Sequence, residues 1–258
     1  MSEAAAIEHM LEQNLTVRGY ERMLEDLWDR MVDPRDFDRT FRAYREAAAD
    51  VMALARYDSE QVADRYYRRT LLDAGIEDRI NVPRQPEARA ATIAAMSRAT
   101  DPAYTDRLLR QAAADPAVQA AIMSAARSRM TGSAKRRILL AGRERLSTVA
   151  ARDPNVRGWA RVGDGNVCSF CAMLISRGPV YSRESVRFRA HDGCGCGQRL
   201  IMRGDPGMTD EARRFRAMYR DGTITQLDAE RYEANRDDIN ARRRARYAAL
   251  TAARRGDT

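Results

Sequence analysis

Apolar residues recur three or four positions apart through most of the first 152 residues. Phe37, Phe41, Tyr44, Ala48, Val51 and Ala55 fall on one face of a helix. Tyr104, Leu108 and Ala112 repeat the pattern, and Val118, Ile122, Ala126 and Met130 extend it. Tyr66, Tyr67 and Leu71 fit a further helix beginning near Asp58 or Ser59. Aromatic stripes at this spacing form cores far more often than ligand pockets, and these are read as core. Asp-Pro steps punctuate the pattern in "VDPRDF", "TDPAYT" and "ADPAVQ". Asp accepts the free N–H groups of a first turn, and Pro fits the first helical position, so Asp33, Asp101 and Asp115 each predict a helix start. Ala74 to Arg89, with prolines at 83 and 86, reads as a loop.

The pattern changes at Asp153, where "RDPNVRGW" predicts a turn before a strand rather than a helix. "GWARVGDGNVC" has short alternation and a Gly-Asp-Gly turn. "CAMLISRG" predicts one or two helical turns ending at Gly178. "PVYS" reads as extended, "QRLIM" as a returning strand and "RGDPGMT" as a turn. From Thr209 onward the chain is polar and helical, with Phe215, Met218 and Tyr219 as a small apolar face. Asp221-Gly222 breaks that helix, and a second one is expected from Leu227 or Asp228 to about Ala253, with the basic end "ARRRARYAALTAARR". The fold class is therefore mainly α with a small α+β module. Three segments are expected: a helical docking region at 1–152, a strand-turn-helix module at 153–207 and a basic helical arm at 208–258. No repeat of 20 to 50 residues is visible.

Composition sharpens this picture. Only 7% of residues are aromatic and 32% are charged, so much of the chain is exposed helix surface. The net charge of +8 favours acidic partners such as double-stranded DNA, contacted nonspecifically through phosphates, but 37 acidic residues temper the signal. Lys135 is the only lysine. Arginine suits bidentate phosphate contacts, although the codon bias of a GC-rich genome explains the skew more simply. The start "MSEAAAIEHMLEQN" lacks the cationic and apolar regions of a signal peptide. No run reaches the roughly 18 to 20 apolar residues of a membrane span. Assembly in a reducing cytoplasm is expected, where clustered cysteines favour metal binding or catalysis over disulfides.

All four cysteines lie between residues 167 and 197. Cys168 and Cys171 form C-x-x-C, and His191, Cys194 and Cys196 form H-x-x-C-x-C. This is paired-ligand zinc spacing: each pair can bend round one metal, and the second completes a tetrahedron. Glycines at 193, 195 and 197 allow the tight turns. His191 with Cys194 is the natural second pair, and Cys196 is a fifth candidate for four places, able to replace Cys194. A thioredoxin-like redox pair would not need the downstream ligands. A catalytic zinc would leave one position open to water, whereas five candidates argue for a closed, structural Zn2+ site. A nucleophilic cysteine with His191 as base would be quenched by the metal. His-Asn-His nuclease chemistry and a Ser-His-Asp triad both need another histidine, and only His9 remains.

The words around the cysteines carry a resemblance. The order W-x-R-V, C-x-F-C-A-M-L, S-R-G-P-V-Y and H-x-x-C-x-C, over residues 158 to 202, resembles the Mu F-like minor head proteins of tailed phages, in the form found in phages of actinobacteria. Family members follow C-x-C with a Pro-containing strand, whereas this chain has "GQRLIM". The resemblance implies a low-copy virion component on the inner capsid near the portal vertex, and the absence of a catalytic constellation in the sequence predicts that it is not an enzyme. Its implied partners are the portal protein and the major capsid or scaffold protein. Some relatives are fused to proteases or to toxin domains, so a capsid maturation protease or a fused effector enzyme is one alternative. A zinc-containing DNA-binding protein is another. No residues here support either enzymatic activity.

Overall fold

The computed structural model describes residues 3–77, 82–84, 86–182, 188, 194–234, 236, 237, 240, 244 and 251. Its elements are α1 (Glu3–Met31), α2 (Phe37–Asp73), α3 (Arg89–Thr100), α4 (Pro102–Gln111), α5 (Pro116–Arg152), β1 (Val156–Val162), α6 (Ser169–Ser176), β2 (Tyr181–Ser182), β3 (Gly197–Met202), α7 (Asp210–Arg220) and α8 (Gln226–Ala234). The chain is thus mainly helical with one small antiparallel sheet, as the hydrophobic pattern predicts.

The Asp-Pro steps act as caps. The Asp33 carboxylate accepts from the Arg35 N–H at 2.8 Å and opens a short 3-10 turn leading into α2. Asp101 accepts from Tyr104 N–H at the start of α4, and Asp115 accepts from both Ala117 and Val118 N–H at the start of α5. Asp153 instead closes a turn, accepting from the Asn155 N–H at 2.8 Å just before β1. One expectation is corrected. No separate helix starts at Asp58 or Ser59, because α2 runs unbroken from Phe37 to Asp73. No Gly or Pro interrupts that stretch, and the Ser59 hydroxyl donates to the Ile138 carbonyl rather than capping a new turn.

The chain forms two compact units. In one, comprising Arg18–Ala55, Pro86–Arg136 and Asn235–Thr258, an aromatic cluster fills the core. Trp28 meets Tyr44 edge-on at 5.2 Å, and Phe37 stacks on Phe41 at 5.4 Å. The buried Tyr44 hydroxyl bonds the Leu24 carbonyl. Phe37, Phe41, Tyr44, Ala48 and Ala55 are buried as their spacing predicts, but Val51 is half-buried and Met52 takes the core position. Most of the basic arm beyond α8 lies outside the described residues.

The other unit comprises Met1–Val17, Arg56–Gln85 and Arg137–Ala234 and contains the sheet, in the order β2-β1-β3. In β1, Trp159 pairs with Leu200 of β3 and with Tyr181 of β2, on which its ring stacks at 4.2 Å. Gly158 is required here: a Cβ would lie 2.1 Å from the Tyr181 carbonyl oxygen. β1 and β3 do not alternate between buried and exposed; of their residues only Arg157 is exposed. Residues of α1, α2, α5, α6 and α7 (Met10, Tyr66, Val149, Ile175 and Phe215) share one buried cluster with the sheet. Enclosure by helices removes the polar face that an exposed antiparallel sheet shows. Gly178, at φ 71°, ends the turn after α6 as expected. Phe215 is buried, whereas Tyr219 faces solvent at 58% exposure, so the expected apolar face of α7 is narrower than its sequence suggests.

Candidate metal centre

Three of the five candidate ligands converge. Cys171 stands in the first turn of α6, and Cys194 and Cys196 flank Gly195 just before β3. All three are buried, and their Sγ atoms lie within 4.8 Å of one another. The Cys171 and Cys194 sulfurs are 3.7 Å apart. A disulfide needs about 2.05 Å. Two ligands of a tetrahedral zinc, each with a bond of about 2.3 Å, stand about 3.8 Å apart. The donor set and its spacing therefore fit a single tetrahedral metal ion.

Cys168 is the N-cap residue of α6, and its Sγ accepts from the Cys171 N–H at 3.4 Å. His191 lies outside the described residues. The sequence left a choice between Cys194 and Cys196, and the structure turns both thiols toward Cys171. Alternate residues of a straight strand diverge, but residues 194–196 precede β3 and are not part of a strand. Gly195 permits it: a Cβ there would lie 1.9 Å from the Asp164 Oδ2 atom.

Arginines surround the sulfurs. The buried Arg143 of α5 donates through one nitrogen, Nη2, to the carbonyls of Cys194 (2.9 Å) and Cys196 (2.6 Å). In an extended strand those two carbonyls would stand about 6.6 Å apart, so convergence on one nitrogen fixes the turn in a curled form. Arg161 of β1 places Nη1 3.9 Å from the Cys194 Sγ. The Phe188 ring lies against both guanidinium groups, at 4.6 Å from Arg143 and 4.0 Å from Arg161.

These contacts set the charge of the cluster. Hydrogen bonds from Cys171 and Cys196 hold the Cys194 thiol far below its usual range, and the Arg143 charge adds to this. The bond to Cys194 pushes Cys171 up to about 12. Bonds with Cys171 and Cys194, with burial, push Cys196 up. Burial lowers the Arg143 pKa, and the three cysteines oppose that shift. Sequence reasoning missed Arg143, which is one arginine among many and carries no local signal. Arg161 was visible as the Arg of W-x-R-V, but not as a neighbour of sulfur.

A cavity of about 20 Å³ beside Cys196 is lined by His9, Gln13, Arg143 and Gln198, among others. Gln198 Nε2 donates to the Ser147 hydroxyl, and the His9 ring bonds the Val62 backbone. Gln198 Oε1 and His9 Nδ1 are buried and have no partner among the described residues.

The family model described as VG15 protein matches residues 1–222. The chain belongs to the VG15 protein family. Within the VG15 match lie both compact units' described helices up to α7 and the whole cysteine cluster. The "Gene 15 protein" of Mycobacterium phage D29 is 42% identical over 67 residues, which are 24% of each chain. The match therefore spans about a quarter of that relative's length. No solved structure matches this VG15 chain. No helix among its described residues is long and apolar enough to cross a membrane.

Proposed function

We propose that this VG15 chain is a structural, minor component of a tailed-phage head, of the Mu F-like type, positioned near the portal on the inner capsid. The observation that carries the structural part of this reading is the buried cysteine cluster. Its three sulfurs sit inside the hydrophobic core of the unit that contains the sheet, with guanidinium groups packed around them. The three thiols are buried in that core rather than lining a cleft, and such a set suits a staple. Zinc would be held there by Cys171, Cys194 and Cys196 with one further ligand. It would supply folding free energy to a unit whose sheet has three strands among the described residues. The phage setting is supported by VG15 membership and by the mycobacteriophage relative. The portal-proximal position is supported by the word order at 158–202 that resembles Mu F-like proteins. The basic C-terminal arm would touch packaged DNA without sequence preference.

The test is co-expression with the portal, scaffold and major capsid proteins of the same phage, followed by isolation of assembled heads. The expected result is a low-copy chain that co-purifies with the portal and leaves the other proteins uncleaved. Specific cleavage of the scaffold or capsid protein, lost on mutation of this chain, would assign a maturation protease instead. Sequence-selective binding of duplex DNA by the purified chain would assign a DNA-binding regulator.

A further inference from the structure

The clustered thiols leave one vertex of the tetrahedron to be filled, and two candidates compete for it, Cys168 and His191. We propose that the centre is all-cysteine, with Cys168 as the fourth ligand and His191 outside it; this rests on the reading of the cluster as a metal staple.

Two observations point to Cys168. The first is its placement. Cys168 and Cys171 sit on the same turn at the start of α6, and the Cys168 sulfur already accepts the Cys171 N–H at 3.4 Å. That bond folds the C-x-x-C segment so that the first sulfur is drawn over the turn carrying the second. It is also the bond a metal-bound thiolate keeps, since a ligating sulfur retains lone pairs for backbone N–H donors. The Cys168 sulfur is not among the three that lie within 4.8 Å of one another, so metal binding would draw it in from its N-cap position on the turn that carries Cys171.

The second observation is charge. The guanidinium of Arg143 is buried, and both of its hydrogen bonds from Nη2 go to carbonyls of the C-x-C turn. Its ring neighbour is Phe188, and no ion pair joins it to a carboxylate among the described residues. Its positive charge thus faces the sulfurs, and the Arg161 guanidinium approaches Cys194 from β1. A divalent ion with three thiolates and an imidazole carries one net negative charge; with four thiolates it carries two. Each added thiolate gains from cations already fixed around the site. His191 would add a neutral ligand to a surrounding built to stabilise anions. Metal uptake would release the remaining thiol protons to solvent.

The test is zinc X-ray absorption on the full-length chain loaded with zinc and freed of excess metal. Four sulfur neighbours at about 2.3 Å, with no imidazole scattering, are expected. Three sulfurs with one nitrogen, and the outer-shell scattering of an imidazole ring, would overturn the assignment while leaving the metal staple intact. A folded chain that retains no zinc would overturn the staple reading itself. Full-length variants loaded with cobalt give a second readout. H191A is expected to keep the wild-type ligand-field spectrum. A shifted spectrum in H191A would assign His191 to the metal, whether or not C168S folds.

Discussion

The Cys171 and Cys194 sulfurs, brought together from α6 and from the turn before β3, stand 3.7 Å apart. That is nearly twice a disulfide bond and matches the edge of a metal tetrahedron. The residues join segments 23 positions apart in sequence, so the contact ties α6 to the sheet. Cys171→Ser is therefore expected to abolish stoichiometric zinc binding. It should also lower the urea midpoint of the unit that contains the sheet, read by near-ultraviolet circular dichroism of Trp159 in a Trp28→Phe background. Unchanged zinc content and midpoint would argue that the cluster is only a packed group of thiols.

Arg143 holds the Cys194–Gly195–Cys196 turn through both carbonyls and lies beside the sulfurs. Arg143→Met removes the clamp and the charge together but keeps much of the packing volume. Partners that orient metal ligands typically contribute 10- to 100-fold in affinity. Competition with a zinc chelator should show a weakening on that order, with partial recovery in Arg143→Lys. Equal affinity in all three proteins would remove Arg143 from the site.

Two glycines of α5 separate packing from helix propensity. Gly132 has open space where a Cβ would go, whereas at Gly142 a Cβ would lie 2.3 Å from Gln13 Nε2 and 3.0 Å from the Ser59 carbonyl oxygen. Gly132→Ala is expected to stabilise by roughly 0.5–1 kcal/mol through lower unfolded-state entropy. Gly142→Ala should destabilise by roughly 1–3 kcal/mol, because overpacking outweighs the same entropic gain. Equilibrium urea unfolding of the two variants checks the opposite signs.

His9 is buried and stacked on Tyr66 at 4.5 Å. Burial lowers its pKa to about 3; the Val62 backbone bond opposes that shift, and the Arg65 charge adds to it. The unfolded chain binds this proton near pH 6.5, so the folded chain refuses a proton that the unfolded chain takes. Its stabilising contribution is complete above pH 6.5 and falls by about 1.4 kcal/mol per pH unit as the pH drops toward 3. His9→Gln should flatten the dependence of the urea midpoint on pH between 6.5 and 4.5, measured at saturating zinc. Parallel wild-type and variant curves would contradict this.

Much of the fold was legible because the relevant forces are local. Asp33, Asp101 and Asp115 cap their helices by short-range hydrogen bonds, and Gly178 and Gly222 mark helix ends by their positive φ. The continuous α2 was not legible, because Asp58 and Ser59 carry a cap's chemistry whether or not a helix starts there. The cysteines were visible from spacing, but the convergence of Cys194 and Cys196 was not. It depends on Arg143, which lies 51 residues upstream of Cys194. Arginine is so common in this chain that no local pattern marks the one that matters.

The most direct test is the zinc content of the natively folded, full-length chain, purified without added metal or chelator and measured by elemental analysis alongside native mass spectrometry. One zinc per chain, with loss of the native near-ultraviolet signal on chelation, is the expected result. A folded chain that is free of metal and unaffected by chelator would contradict the metal staple.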